Sequence, residues 1–146
     1  MARHLPEDWL VPQLDPHNRA FFTSGKLLLQ ECAGCGTVQH PPEDLCHRCQ
    51  GTAFRTREVA PRGSVYSYTV VRHPTHPGLS KAVPYAIVLV SLDALPEVRI
   101  TGNLLQLAPE KLRIGLPVRA VWEEVRDDAG QTLRLPQWVP AQEVRP

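Results

Sequence analysis

Residues 31–51 read ECAGCGTVQHPPEDLCHRCQG. All four cysteines of the chain lie here, as two C-x2-C pairs, Cys32/Cys35 and Cys46/Cys49. Each pair can turn two sulfurs toward one ion, and the loop between brings the pairs together. In a reducing compartment this spacing points to a metal site rather than to disulfides. Thiolates are soft ligands, and zinc accepts a tetrahedral set without strain, so one zinc per chain is expected, with rubredoxin-like iron as the competitor. A catalytic zinc keeps a coordination position open, whereas four cysteines close it, so the expected role is structural. A module this poor in large apolar side chains needs such a staple. Gly34, Gly36 and Gly51 are read as supplying the tight turns. His40 and His47 are read as surface histidines.

Upstream, residues 1–25 are expected to form an arm and a short helix. Asp15 is suited to cap it, Pro16 to its first position and Gly25 to its end. Two readings of this arm stand: a helix pinned to the domain by one aromatic, or a docking arm anchored by Trp9, Phe21 and Phe22. Residues 26–56 are the cysteine module, entered by the strand KLLLQE.

Residues 57–146 change pattern. Five strands are expected: Ser64–His73, Tyr85–Leu92, Glu97–Leu105, Pro117–Val125 and Thr132–Pro140. YAIVLVSL is apolar on both faces, as in a closed barrel or a central sheet. Gly102 suits a bulge or a bend. APEKLRIG is read as a short helix between the third and fourth strands. That order is the OB-fold arrangement; a small sandwich would not require the helix. The fold class is therefore mainly β: helical arm, four-cysteine module, five-stranded OB barrel.

The chain has 146 residues and a formal net charge of +1, from 16 Lys+Arg and 15 Asp+Glu. That balance argues against bulk DNA or an anionic membrane as a partner. No apolar run approaches the ~20 residues of a membrane span. The opening MARHLPEDWLVP lacks the apolar core of a signal peptide. A soluble, cytoplasmic protein is expected. The 15 prolines are spread along the chain and read as turns and strand ends.

No nucleophile motif or phosphate-binding glycine loop is present. Adjacent Glu123 and Glu124 point to opposite faces of a strand and cannot act as an acid/base pair. Asp127 and Asp128 sit in a turn. The loop HPTHPGLSK offers His73, His76 and Lys81, which can meet an anion, act as a base or simply be solvated. Tyr66 and Tyr68, two apart, are expected on one side of their strand, stacking bases, lining a pocket or filling the core.

GSVYSYTVV, PYAIVLVSL, IGLPVRAVWEE and LPQWVPA follow the cysteine pairs in an order that resembles the zinc-ribbon plus OB-fold family known as domain of unknown function 35. The resemblance covers residues 15–141. One departure is CHRC, where the family commonly has proline after the first cysteine; both ligands remain. The resemblance carries the metal positions to Cys32, Cys35, Cys46 and Cys49. It implies a non-catalytic acyl-CoA-binding subunit that docks on and supports a thiolase-like enzyme, an aldolase or a hydratase, in lipid or steroid metabolism. Arg62, Arg72, Lys81 and Arg99 are available for CoA phosphates, and Tyr66, Tyr68, His73 and Lys81 for the ligand. The alternatives are a single-stranded nucleic-acid module and a self-sufficient acyl-CoA enzyme.

Overall fold

The cysteine module is built on strand β1 (Leu27–Cys32), which pairs antiparallel with the two-residue β2 (Val38–Gln39) on one side and with β3 (Phe54–Val59) on the other. These coordinates are a computed structural model that describes residues 4–141. The start of the expected arm, residues 1–3, and the end of the expected barrel domain, residues 142–146, lie outside the described residues. Strand β3 carries the chain out of the module and across position 56 to the barrel.

Five strands close the barrel: β4 (Arg62–Val71), β5 (Tyr85–Leu92), β6 (Arg99–Leu104), β7 (Pro117–Arg126) and β8 (Thr132–Pro140), in the order β4-β5-β6-β8-β7. Strands β6 and β8 meet in parallel, at Leu104 and Trp138, and the other pairings among the described residues are antiparallel. This is the expected OB arrangement. Alternation drives it: Ala86, Val88, Val90 and Leu92 of β5 point inward, while Ile87 and Leu89 are half-buried outside. Leu27 and Leu29 of β1 join the same core as Val90, Ile100, Val118 and Trp138. Burial of that apolar surface is the main stabilising term, at about 25 cal/mol per Å².

Gly102 of β6 serves close approach rather than a bulge. A Cβ there would meet Trp138 Cδ1 at 2.9 Å and the Pro136 carbonyl oxygen at 3.0 Å. The bulge falls instead in β4, where the register with β5 shifts between Val65 and Ser67. Tyr66 is therefore the extra residue, and the strict two-residue alternation assumed for Tyr66 and Tyr68 is interrupted.

Both expected helices are shorter than their sequences suggested. Asp15 Oδ1 accepts the N–H groups of His17 and Asn18, so it caps a turn. The helix α1 proper is only Arg19–Thr23. The segment APEKLRIG makes a single 3-10 turn at Pro109–Lys111, because Leu112 is already extended, with ψ 135°. A second 3-10 turn, Pro77–Leu79, lies in the loop after β4. Among the described residues no helix is long and apolar enough to cross a membrane.

Candidate functional site

The four Sγ atoms of Cys32, Cys35, Cys46 and Cys49 lie within 4.8 Å of one another. Cys32 and Cys49 are 3.5 Å apart and Cys35 and Cys46 3.6 Å, and none is in a disulfide. Ligands about 2.3 Å from a tetrahedral zinc stand roughly 3.8 Å from each other, so the cage fits that ion.

The two knuckles repeat one backbone design. Cys32 N–H donates to Thr37 O, and Gly36 N–H to Cys32 O; Cys46 N–H donates to Gly51 O, and Gln50 N–H to Cys46 O. Gly36 (φ 75°) and Gln50 (φ 62°) occupy equivalent left-handed positions. The second knuckle thus uses Gln50 at the position of positive φ, where Gly51 had been expected.

The thiols respond to this crowding. The Thr37 hydroxyl holds Cys35 down to about 6. The backbone N–H of Cys49 lowers Cys46. At Cys49 the Gly51 N–H pulls down, but sharing with Cys32 and Cys35 outweighs it and pushes the thiol up to about 12. A divalent cation would hold all four as thiolates.

The loop between the knuckles is fixed by two buried glutamines that the sequence reading did not single out. Gln39 Nε2 donates to Gln30 Oε1 at 2.7 Å and to Leu45 O at 3.0 Å. Gln30 Nε2 donates to Glu43 O, and its oxygen accepts Glu43 N–H. His47 is exposed as expected, with Nδ1 2.8 Å from Gln39 Oε1. His40 is half-buried rather than a fully exposed surface histidine. Its ring lies 4.7 Å from that of Phe21, and burial pushes its pKa down to about 4.

The arm residues separate into two roles. Phe21 is 5% exposed and belongs to the core, so it pins α1 and is not available to a partner. Trp9 stands edge-on to His76 at 4.9 Å, and Phe22 packs on the core from outside. Both line a groove of about 740 Å³ between arm, cysteine module and barrel, together with His40, Arg99, Asn103 and Pro136. That volume falls within the usual range for small-molecule sites.

The expected ligand residues are dispersed. Tyr66 and Tyr68 are 50% and 40% exposed, so neither fills the core. Arg99 stacks its guanidinium 3.8 Å above the Tyr66 ring, beside the groove. Tyr68 borders a shallow apolar patch with Ile87 and Leu89. His73, Lys81, Arg62 and Arg72 are exposed, and among the described residues no hydrogen bond or ring contact joins His73 or Lys81 to either tyrosine. His76 Nδ1 accepts Gly78 N–H, which stiffens the loop.

Glu123 and Glu124 do face opposite ways. Glu124 pairs with Arg134 at the surface. Glu123 is buried, and its carboxylate accepts the N–H groups of His4 and Leu5 at 3.0 Å each. Asp127 Oδ1 accepts Gln131 N–H and closes the β7–β8 turn.

Known proteins carry the same arrangement. Residues 20–55 match the ChsH2 rubredoxin-like zinc ribbon domain, and residues 56–123 the ChsH2 C-terminal OB-fold domain. The chain is 38% identical over 133 residues to a probable enoyl-CoA hydratase alpha subunit of Thermomonospora curvata, covering 89% of this chain and 39% of that protein. It is 31% identical over 127 residues to the 3-oxo-4,17-pregnadiene-20-carboxyl-CoA hydratase alpha subunit of Mycobacterium tuberculosis, covering 84% and 39%. The chain thus spans about two fifths of these subunits. A DUF35 domain-containing scaffold protein of Methanocaldococcus jannaschii is 35% identical over 98 residues, 66% of this chain and 67% of the relative. A solved structure named Ltp2-ChsH2(DUF35) aldolase superposes with a TM-score of 0.74 at 38% identity, covering 90% of this chain and 100% of the other. The chain belongs to the DUF35 family, as a ChsH2-type zinc ribbon followed by an OB-fold domain.

Proposed function

We propose that this protein is a cytoplasmic accessory subunit that docks on a thiolase-like enzyme, an aldolase or a hydratase, and helps it hold an acyl-CoA. The observation that carries the reading is the closed cage of Cys32, Cys35, Cys46 and Cys49, which leaves a bound metal no position for substrate. The metal is one structural zinc per chain. Its role is to fix the ribbon against the barrel and so to shape the groove lined by Trp9, Phe22, His40 and Arg99. The relatives support this class: a probable hydratase alpha subunit, a scaffold protein and an Ltp2-ChsH2(DUF35) aldolase.

In the groove, apolar walls suit an acyl or pantetheine chain, and Arg99 offers a cation for a phosphate. Arg62, Arg72 and Lys81 are further exposed cations on the barrel side. The net charge of +1 is too small for nucleic-acid binding to be preferred.

The test is a calorimetric titration of the zinc-loaded chain with an acyl-CoA, beside one with single-stranded DNA at low salt. Saturable acyl-CoA binding, weakened by Arg99→Ala, is expected. Tight, salt-sensitive DNA binding without an acyl-CoA response would overturn the reading.

A further inference from the structure

Among the described residues, strand β3 is paired on one side only, with β1. The direction of its free groups follows from β1. Cys32 N–H donates to Thr37 O on the β2 side, and Ala33 N–H to Ala53 O on the β3 side. Backbone groups alternate along an antiparallel ladder, so Glu31, Leu29 and Leu27 face β3, opposite Arg55, Arg57 and Val59. The intervening Phe54, Thr56 and Glu58 must aim their N–H and C=O groups away from the sheet. Among the described residues no second strand pairs with β3, and no loop backbone or side chain hydrogen-bonds to the backbone of these three.

Such an edge invites another strand, and proteins usually blunt it with proline, a bulge or charge. Phe54–Val59 contains no proline and pairs without a register shift. It does carry Arg55 and Arg57, with Glu31 between them as their shared counter-ion, Arg57 Nη1 at 3.3 Å. Two guanidiniums and one carboxylate leave this row with an excess positive charge.

A second copy is a poor occupant. Outward groups of β3 can meet only outward groups of its twin. In each of the antiparallel registers with the greatest overlap, an arginine at 55 or 57 then stands opposite an arginine of the twin. Like charges directly opposite destabilise a pair. Carboxylates at those positions would do the reverse.

We propose that the outer edge of β3 takes an extended segment of a partner protein whose carboxylates, two residues apart, lie beside Arg55 and Arg57. The alternate positions of that segment face Phe54 and Thr56, which favour apolar or β-branched side chains. Backbone hydrogen bonds to Phe54, Thr56 and Glu58 supply the affinity, and the arginines supply the choice of partner. This deepens the docking reading by naming a surface for it, and it rests on that reading for the occupant being a protein.

The test uses the zinc-loaded full chain and two capped peptides, one alternating glutamate with threonine and valine, the other with lysine in place of glutamate. Amide exchange and chemical shifts of Phe54, Thr56 and Glu58 are followed during titration. The glutamate peptide is expected to protect these amides and to bind at least ~10-fold more tightly than the lysine peptide. Thr56→Pro is expected to abolish binding without unfolding, since that N–H faces away from β1. The double substitution Arg55→Glu/Arg57→Glu is expected to reverse the preference between the peptides. No protection at the three amides, equal binding of both peptides, or binding unchanged by Thr56→Pro overturns the proposal. Because the peptides replace the enzyme, the two readings fail separately. An enzyme that docks while peptides do not bind removes the edge alone, and peptides that bind while no enzyme docks remove the docking reading alone.

Discussion

The carboxylate of Glu123, buried on β7, accepts the backbone N–H of Leu5 at 3.0 Å. The same side chain accepts the N–H of His4, and Gln137 Nε2 approaches it at 3.5 Å. A buried carboxylate is tolerated only when such donors surround it. One residue of the barrel therefore straps the arm down and, with it, the Trp9 wall of the groove.

Glu123→Ala removes the acceptor that the N–H groups of His4 and Leu5 share. Hydrogen bonds to a charged group are worth about 1.5–3 kcal/mol, so a loss of that order is expected. Urea unfolding measures it, and limited proteolysis should cut the arm faster than in the parent chain. Glu124→Ala, which removes only an exposed pair, should change stability by well under 1 kcal/mol.

Phe21 and Phe22 are neighbours with different work. Phe21→Ala empties a core site and should cost about 3–5 kcal/mol. Phe22→Ala and Trp9→Ala should leave the melting temperature closer to that of the parent while weakening enzyme binding. Thermal melts beside a binding titration separate the two effects.

His40 gives the stability a pH dependence whose sign follows from its burial. Its folded pKa, about 4, lies below the unfolded value of 6.5, so the unfolded chain binds more protons between those limits. Its contribution is intact at neutral pH and is lost as pH falls from 6.5 toward 4. Denaturant midpoints at pH 7 and pH 5 should differ more in the parent chain than in His40→Gln. Equal pH dependence in the two chains would remove His40 as the cause.

Removing zinc should be felt beyond the ribbon. Structural zinc supplies roughly 10–16 kcal/mol of apparent folding energy in isolated peptides. Here Leu27 and Leu29, from the strand that ends in Cys32, sit in the same core as the barrel. Elemental analysis should find one zinc per chain. A chelator or Cys35→Ser should lower the melting temperature of the whole domain. Zinc affinity should fall on acidification, as protons compete for the thiolates.

The legible parts of this molecule were those fixed by local pattern. Cysteine spacing alone placed Cys32, Cys35, Cys46 and Cys49 around one point, and the alternation in YAIVLVSL set the inward face of β5. Features that depend on distant contacts were not legible. FRTREV has no apolar alternation; it is a strand because β1 pairs with it. The pair Glu123–Glu124 announces that one carboxylate faces inward, but not that the arm covers it, 118 residues away in sequence. His40 looked like a loop histidine because its ring contact is with Phe21, on the helix that precedes the cysteine module. APEKLRIG carries helix signals, yet it ends after one turn as Leu112 extends.

The proposed role, docking on an enzyme rather than turning over substrate in the lone domain, is open to a direct measurement. The most direct measurement mixes the zinc-loaded chain with a thiolase-like enzyme of its own source and follows mass by light scattering during size exclusion. Acyl-CoA turnover is assayed in each fraction. A stoichiometric complex that holds the activity, with none in the lone chain, is expected. Separate elution of the two proteins, with acyl-CoA turnover by the lone chain, would contradict it.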